Sequence, residues 1–368
     1  MSVKHLVVSG QSLFINRHSL LIDALRTDNM TVEPLIAGDS FKKTPAGLLT
    51  TIFYKLRYGR SGDPSEWHHR LHKSRLAFDI KSKDLNQRIM GLAKKPDLVL
   101  HMMCVFAPDP KVTSIPYVLM LDYTASMAIR NWPVWVPFAG DAAKDEWFAA
   151  ERKAYEQASH IFTFSRTTRD SLVDDYGIPS AKITPVGSAG DYTEPYAGEK
   201  SFGSKKILFN GSEWKRKGGD IALREFQKVR SKIDDATLVV IGTDMSTTNP
   251  GVKNLGVISS RDEMKKLMLD SDVVFSPSRC DPFPTFLIEA MNLGVPGIVP
   301  PRDGMPEIVV DGVTGLVAND DDLGAAIVKL LGDPAQLRKF SDAGRKKVAG
   351  ELSWPVVAGK IHAVIDRM

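Results

Sequence analysis

Short apolar, β-branched runs alternate with longer stretches of helical period through most of the chain. In the first half the runs fall at residues 4–8, 97–100, 117–121, 160–164 and 183–186, with helical stretches such as 144–158 between them. A second set falls at 206–210, 237–242, 273–276 and 297–299, again with helical stretches between. Strands separated by helices predict parallel sheets covered by helices. Between the two sets, Gly187-Ser188-Ala189-Gly190 and the polar stretch to about Gly203 read as a linker. The expected organisation is therefore α/β, with two Rossmann-like, doubly wound parallel-sheet domains facing a central cleft. The first spans 1–188, the linker 189–203 and the second 204–351.

A chain of 368 residues is long enough for two such domains, and no repeat of solenoid period interrupts it. The composition, 43% hydrophobic and 25% charged with both signs interspersed, is that of a globular protein. The opening MSVKHLVVSG breaks at Ser9 and Gly10, so it reads as a first strand rather than a signal peptide. No apolar run approaches the roughly 20 residues of a membrane span. Cys104 and Cys280 have neither zinc-ligand nor redox-pair spacing and read as packing residues. These features predict a cytoplasmic protein. A net charge of +4 gives no argument for nucleic acid as a partner.

Charge is concentrated locally. Lys42, Lys43, Lys55, Arg57, Arg60, Arg70, Lys73 and Arg75 are interleaved with Leu48, Leu49, Ile52, Phe53 and Tyr54. Such a segment reads either as a solvated helix face or as a peripheral surface for an anionic membrane, here its inner face.

Ligands of open parallel sheets bind beyond the carboxyl ends of the strands. The loop after the first strand has the single Gly10 and no G-x-G-x-x-G, which disfavours a dinucleotide-dependent oxidoreductase. Gly10 still lets a ligand approach the backbone. In the second half, a buried strand leads through Pro277, Asp281, Pro282, Phe283 and Pro284 into a helix from Thr285, closed by Gly294. Free backbone N–H groups around Phe283, Pro284, Thr285 and Phe286 at that helix start suit a phosphate. Asp281 in the loop and Glu289 one turn into the helix are acceptors for sugar and ribose hydroxyls. Another loop, Phe209-Asn-Gly-Ser-Glu-Trp-Lys-Arg-Lys-Gly-Gly-Asp220, brings Lys217 to a helix start where the ammonium can meet a diphosphate.

This constellation resembles the GT4 family of retaining glycosyltransferases, which have the GT-B fold. The likeness rests on Asp281 and Glu289 at their spacing, Ala290-Met291, Gly294-Val295-Pro296, Gly304-Met305-Pro306-Glu307, Asp311-Gly312 and Thr314-Gly315-Leu316-Val317. Leu352-Ser353-Trp354 is similar to the segment before the family's terminal helix, which implies that 352–368 crosses back to the first domain. The resemblance makes Lys217 the diphosphate lysine and Asp281, in place of the usual glutamate, the acid that orients the donor sugar. Ser212 stands after Gly211 where the family often has arginine, leaving Arg216 as a candidate substitute. Ile258, in Gly256-Val257-Ile258-Ser259, is placed near the nucleobase. In the first half the resemblance thins. His101 reads as an active-site histidine or a packed loop histidine, and Asp122 as a catalytic or acceptor-binding acid or a helix cap.

What the resemblance implies is retaining, metal-independent transfer of a hexose from a nucleoside-diphosphate sugar, UDP- or GDP-linked. The acceptor would be a glycan or lipid-linked glycan, as in polysaccharide biosynthesis, and no cofactor is expected beyond the donor substrate. No Asp-x-Asp cluster follows a strand as a metal site would require. The rival readings are a GT-B-like sugar-nucleotide epimerase or phosphorylase, and a non-catalytic chain that binds a nucleotide sugar or a partner enzyme.

Overall fold

The computed structural model describes residues 3–59 and 66–368. Arg60 lies outside them. The chain separates into two compact units, one of residues 1–186 with 357–368, the other of residues 187–356.

The first unit is built on a six-stranded parallel sheet of β1 (His5–Gly10), β2 (Thr31–Ile36), β3 (Leu98–Met102), β4 (Tyr117–Leu121), β5 (His160–Thr163) and β6 (Ile183–Pro185). Its order is β2-β1-β3-β4-β5-β6. β1, β3 and β4 are buried along their whole length, as parallel strands covered on both faces must be. Val99, Leu119 and Ile161 pack with Trp147, Tyr155 and Tyr176 in the core of this unit. The tail contributes to its interior: Val357, Ile361 and Ile365 are wholly buried, and Lys360 Nζ donates to the Val186 carbonyl at 3.0 Å.

The second unit holds β7 (Lys206–Asn210), β8 (Thr237–Ile241), β9 (Val252–Asn254), β10 (Val273–Phe275), β11 (Gly297–Val299) and β12 (Gly315–Val317), in the order β12-β11-β10-β7-β8-β9. Ile207, Phe209, Leu238, Val240, Val273, Phe275 and Ile298 meet Ile221, Phe226, Ile327 and Phe340 of the flanking helices. Residues 189–203, expected as a linker, are fixed to this unit. Asn292 Nδ2 donates to the carbonyls of Tyr192 and Glu194 at 3.2 and 3.0 Å, and Arg345 Nη1 to those of Tyr196 and Gly198 at 3.2 and 2.8 Å.

Three strands exceed the expected set. β2 is an edge strand with Pro34 inside it and only Val32 buried, so it lacks a continuous apolar run. β9 and β12 are three-residue edge strands. The two sheets together are the GT-B arrangement of two parallel-sheet units. Among the described residues, no helix is long and apolar enough to cross a membrane.

Candidate active site

In a doubly wound sheet the strand order reverses at one point, and the loops leaving the two strands there diverge to leave a crevice. In the second sheet that point lies between β7 and β10. The loops that follow these strands carry Lys217 and Asp281. The strand order thus brings together residues separated by 64 positions, and their side chains form an ion pair.

Loop geometry explains how Lys217 is aimed. Gly211 N–H donates to the Ile241 carbonyl at 2.8 Å, and Ser212 N–H to Asn210 Oδ1 at 3.0 Å. The chain then turns, with Lys217 N–H on the Glu213 carbonyl at 3.0 Å. Gly218 has φ +75°, and a Cβ there would lie 2.1 Å from the Pro277 carbonyl oxygen. Only glycine satisfies both demands. At Gly219 a Cβ would lie 2.1 Å from the Trp214 ring.

The loop after β10 is clamped to this turn. Arg279 N–H donates to the Arg216 carbonyl at 2.8 Å, and Arg279 grips Asp220 through both terminal nitrogens at 2.7 and 2.6 Å. Buried Arg216 donates to the Cys280 carbonyl at 2.8 Å and holds Glu213 by two bonds of 2.8 and 2.6 Å. Its Nη1 lies 3.7 Å from Asp281 Oδ2. Arg216 therefore holds the Asp281 loop in place with donors engaged by the protein. Asp281 N–H donates to Asp303 Oδ2 at 2.8 Å. Asp303 was not legible as a site residue, and only its position just before the Gly304-Met305-Pro306 run pointed toward it.

The helix Thr285–Asn292 begins beside this pair. Pro284 is its N-cap and supplies no side-chain acceptor, and its first turn has no acid. Its N-terminal dipole is thus not neutralised from within the helix, and Thr285 at its start is exposed. Phe283 is buried and anchors the approach. Further along, Glu289 Oε1 accepts from the Asp191 N–H at 3.1 Å. Burial pushes the Glu289 carboxyl up to about 7, against the lowering effect of that N–H. It lines a pocket with Gly190, Tyr192, Asn292 and Trp354. Ile258 is half-buried in the loop after β9, held beside the end of β8 by Gly242 N–H on the Gly256 carbonyl at 2.7 Å.

The first sheet reverses between β1 and β3, where Gly10 and His101 lie. A Cβ on Gly10 would approach the Met102 Cβ to 3.2 Å. His101 is fully buried; its Nε2–H donates to the Phe106 carbonyl at 2.8 Å, and its Nδ1 accepts from the Ser9 hydroxyl at 2.8 Å. Burial lowers its pKa to about 4, so this imidazole is neutral with both nitrogens bonded inside the unit. Asp122 follows β4. Thr124, not Asp122, caps the next helix, accepting from Met127 N–H at 3.1 Å. Burial pushes the Asp122 carboxyl up to about 6, opposed by its own and the Tyr123 N–H groups and by Arg17 and Lys73.

Among the described residues, no group of three or more His, Cys, Asp or Glu side chains is arranged to hold a metal ion.

Residues 204–333 match the family described as Glycosyl transferases group 1. Glycogen synthase of Mycobacterium tuberculosis is 24% identical over 225 residues, 57% of this chain and 54% of that protein. A GDP-mannose-dependent alpha-(1-6)-phosphatidylinositol monomannoside mannosyltransferase of Mycolicibacterium smegmatis is 27% identical over 247 residues, 59% of this chain and 64% of that protein. The matched part is thus between about half and two-thirds of the length of these relatives. A sucrose-phosphate synthase of Thermosynechococcus elongatus has the same fold, with a TM-score of 0.70 at 15% identity over 99% of this chain and 98% of that one. The crevice of the second sheet, with its lysine, its acids and its uncapped helix, therefore lies within the segment that matches group 1 glycosyl transferases, in a chain of GT-B fold.

Proposed function

We propose that the chain transfers a hexose from a nucleoside-diphosphate sugar to a glycan or lipid-linked glycan, keeping the anomeric configuration and using no metal, as a GT4-type enzyme of polysaccharide biosynthesis. The observation that carries this reading is the Lys217–Asp281 pair at the strand-order reversal, beside the N-terminus of the helix Thr285–Asn292. An ammonium and a helix N-terminus together stabilise the charge that grows on a departing diphosphate, the work a divalent cation performs elsewhere. Asp281 then accepts from a hydroxyl of the donor sugar and Glu289 from the ribose. The nucleobase, of UDP or GDP, lies against the Ile258 loop. Asp122, with its raised pKa, faces the acceptor chemistry. The acceptor is met at the inner, cytoplasmic face of a membrane, and no cofactor takes part.

A second reading, a chain that binds a nucleotide sugar without turning it over, is favoured by Arg216. Its guanidinium is engaged by Glu213 and Cys280, and Ser212 stands where similar enzymes place arginine. One experiment separates the readings. The chain is screened by thermal shift against UDP- and GDP-sugars, a donor at 100 times its dissociation constant adding about 2.7 kcal/mol. The stabilising donor is then incubated with candidate acceptors in EDTA, and products are resolved by NMR. A product with the donor's anomeric configuration supports the proposal. Stabilisation without turnover supports the second reading, and an epimerised nucleotide sugar formed without acceptor replaces both.

A further inference from the structure

The helix Pro45–Tyr58 is amphipathic in the reverse sense. Gly47 and Thr50 are its buried residues, and this face packs beside a small cluster of Phe41, Leu71 and Ala77 with Tyr54. Leu48, Leu49, Ile52, Phe53 and Leu56 are all exposed, Leu49 at 68% and Leu56 at 77%. At 3.6 residues per turn these five side chains span an arc of about 140° on the side opposite Gly47 and Thr50. Lys55 and Arg57, both exposed, flank the two edges of that arc, and exposed Lys42 and Lys43 precede the helix. From Phe41 to Arg75 the sequence has eight lysines and arginines against two acids, an excess greater than the net +4 of the whole chain.

We propose that this helix lies in the surface of an anionic bilayer, with Leu48, Leu49, Ile52, Phe53 and Leu56 among the acyl chains and Lys55 and Arg57 on the headgroup phosphates. The proposal deepens the membrane side of the reading above and rests on it only there. Charge decides for a bilayer over a second copy of the chain. The helix contains no acidic residue, so pairing two such faces would set basic edges against one another with no counter-charge. Length decides for lying in the surface. Fourteen residues extend only about 21 Å, short of a span of about 30 Å but suited to an interfacial helix.

The test is flotation of the full chain with vesicles of phosphatidylcholine containing about one-third phosphatidylglycerol, and with phosphatidylcholine alone. Binding is expected only with the anionic lipid, and it should fall at least tenfold at about 1 M salt, where screening acts within about 3 Å. Leu49→Gln with Leu56→Gln changes only exposed positions and should weaken binding at least tenfold with an unchanged melting temperature. Phe53→Trp should give a blue-shifted emission on anionic vesicles. No binding, equal binding to neutral vesicles, or full binding by the double variant would overturn the proposal. So would a dimer that the double variant abolishes. None of these readouts uses a nucleotide sugar, so donor stabilisation in the thermal-shift screen stands or falls separately.

Discussion

Lys217 and Asp281 face one another with 13% and 9% of their side chains exposed, so removing either leaves a partly buried charge without its nearest partner. Lys217→Ala should lower kcat/KM by about 10- to 150-fold, the value of a charge-assisted contact. Steady-state kinetics check it, and an unchanged kcat/KM would remove the lysine from the diphosphate. Asp281→Asn should behave differently: turnover falls while calorimetric affinity for the free nucleoside diphosphate is undiminished, because Lys217 is released from its carboxylate partner. Glu289 supplies a pH signature. Its folded pKa of about 7 exceeds the ordinary glutamate value of 4.5 because of burial. Between those values the folded chain keeps a proton the unfolded chain has lost. The stabilisation is therefore full below about 4.5 and disappears as the pH rises through about 7. Ribose binding has the opposite slope, since only the ionised carboxylate accepts from both hydroxyls. Nucleotide affinity should rise from pH 6 to 8, and Glu289→Gln should flatten the profile in calorimetry.

At the scale of elements, what was legible in the sequence was local. Lys217-Gly218-Gly219 and the run from Asp281 to Gly294 carry their geometry in the order of residues. Glycine permits the positive φ, proline removes a donor before the helix, and the helix Thr285–Asn292 lies within the expected range. What depends on distant contacts was not legible. Asp303 earns its role by accepting from Asp281 N–H 22 positions away. Arg216, a candidate substitute for the family's arginine by sequence, has its guanidinium engaged by Glu213 and Cys280, contacts that residue order does not announce. β2 escaped notice because an edge strand in which the five residues other than Val32 are exposed or half-exposed has no period to read. The turn itself is testable. Gly218→Ala adds a Cβ 2.1 Å from the Pro277 carbonyl oxygen at a residue with φ +75°. Left-handed backbone alone costs about 1–3 kcal/mol for a non-glycine residue. Urea unfolding should show at least that loss, together with weaker donor binding as Lys217 is displaced. Wild-type stability would show that the loop has room to move.

For the whole molecule, alternating strands and helices announced two parallel sheets, but not the order of strands within them. Order depends on which face each crossover helix covers, a long-range packing outcome with no local signature. Yet order is what assembles the site: β7 and β10 are neighbours although β8 and β9 intervene in sequence. The tail shows the same principle. The first unit takes in residues 357–368 after the chain has completed the second, and Val357, Ile361 and Ile365 are buried without remainder. Ile361→Ala should therefore destabilise by about 2–5 kcal/mol, the range for removing a buried isoleucine side chain and leaving a cavity. The loss should be uneven. Native-state hydrogen exchange ought to show faster exchange in β5 and β6, near the Val186 carbonyl that Lys360 holds, with β7, β8 and β10 unchanged. Equal acceleration in both sheets would mean that the tail supports the second unit as much as the first. No acceleration would mean that the cavity collapses, and that residues 357–368 do not limit the stability of the unit whose interior they share.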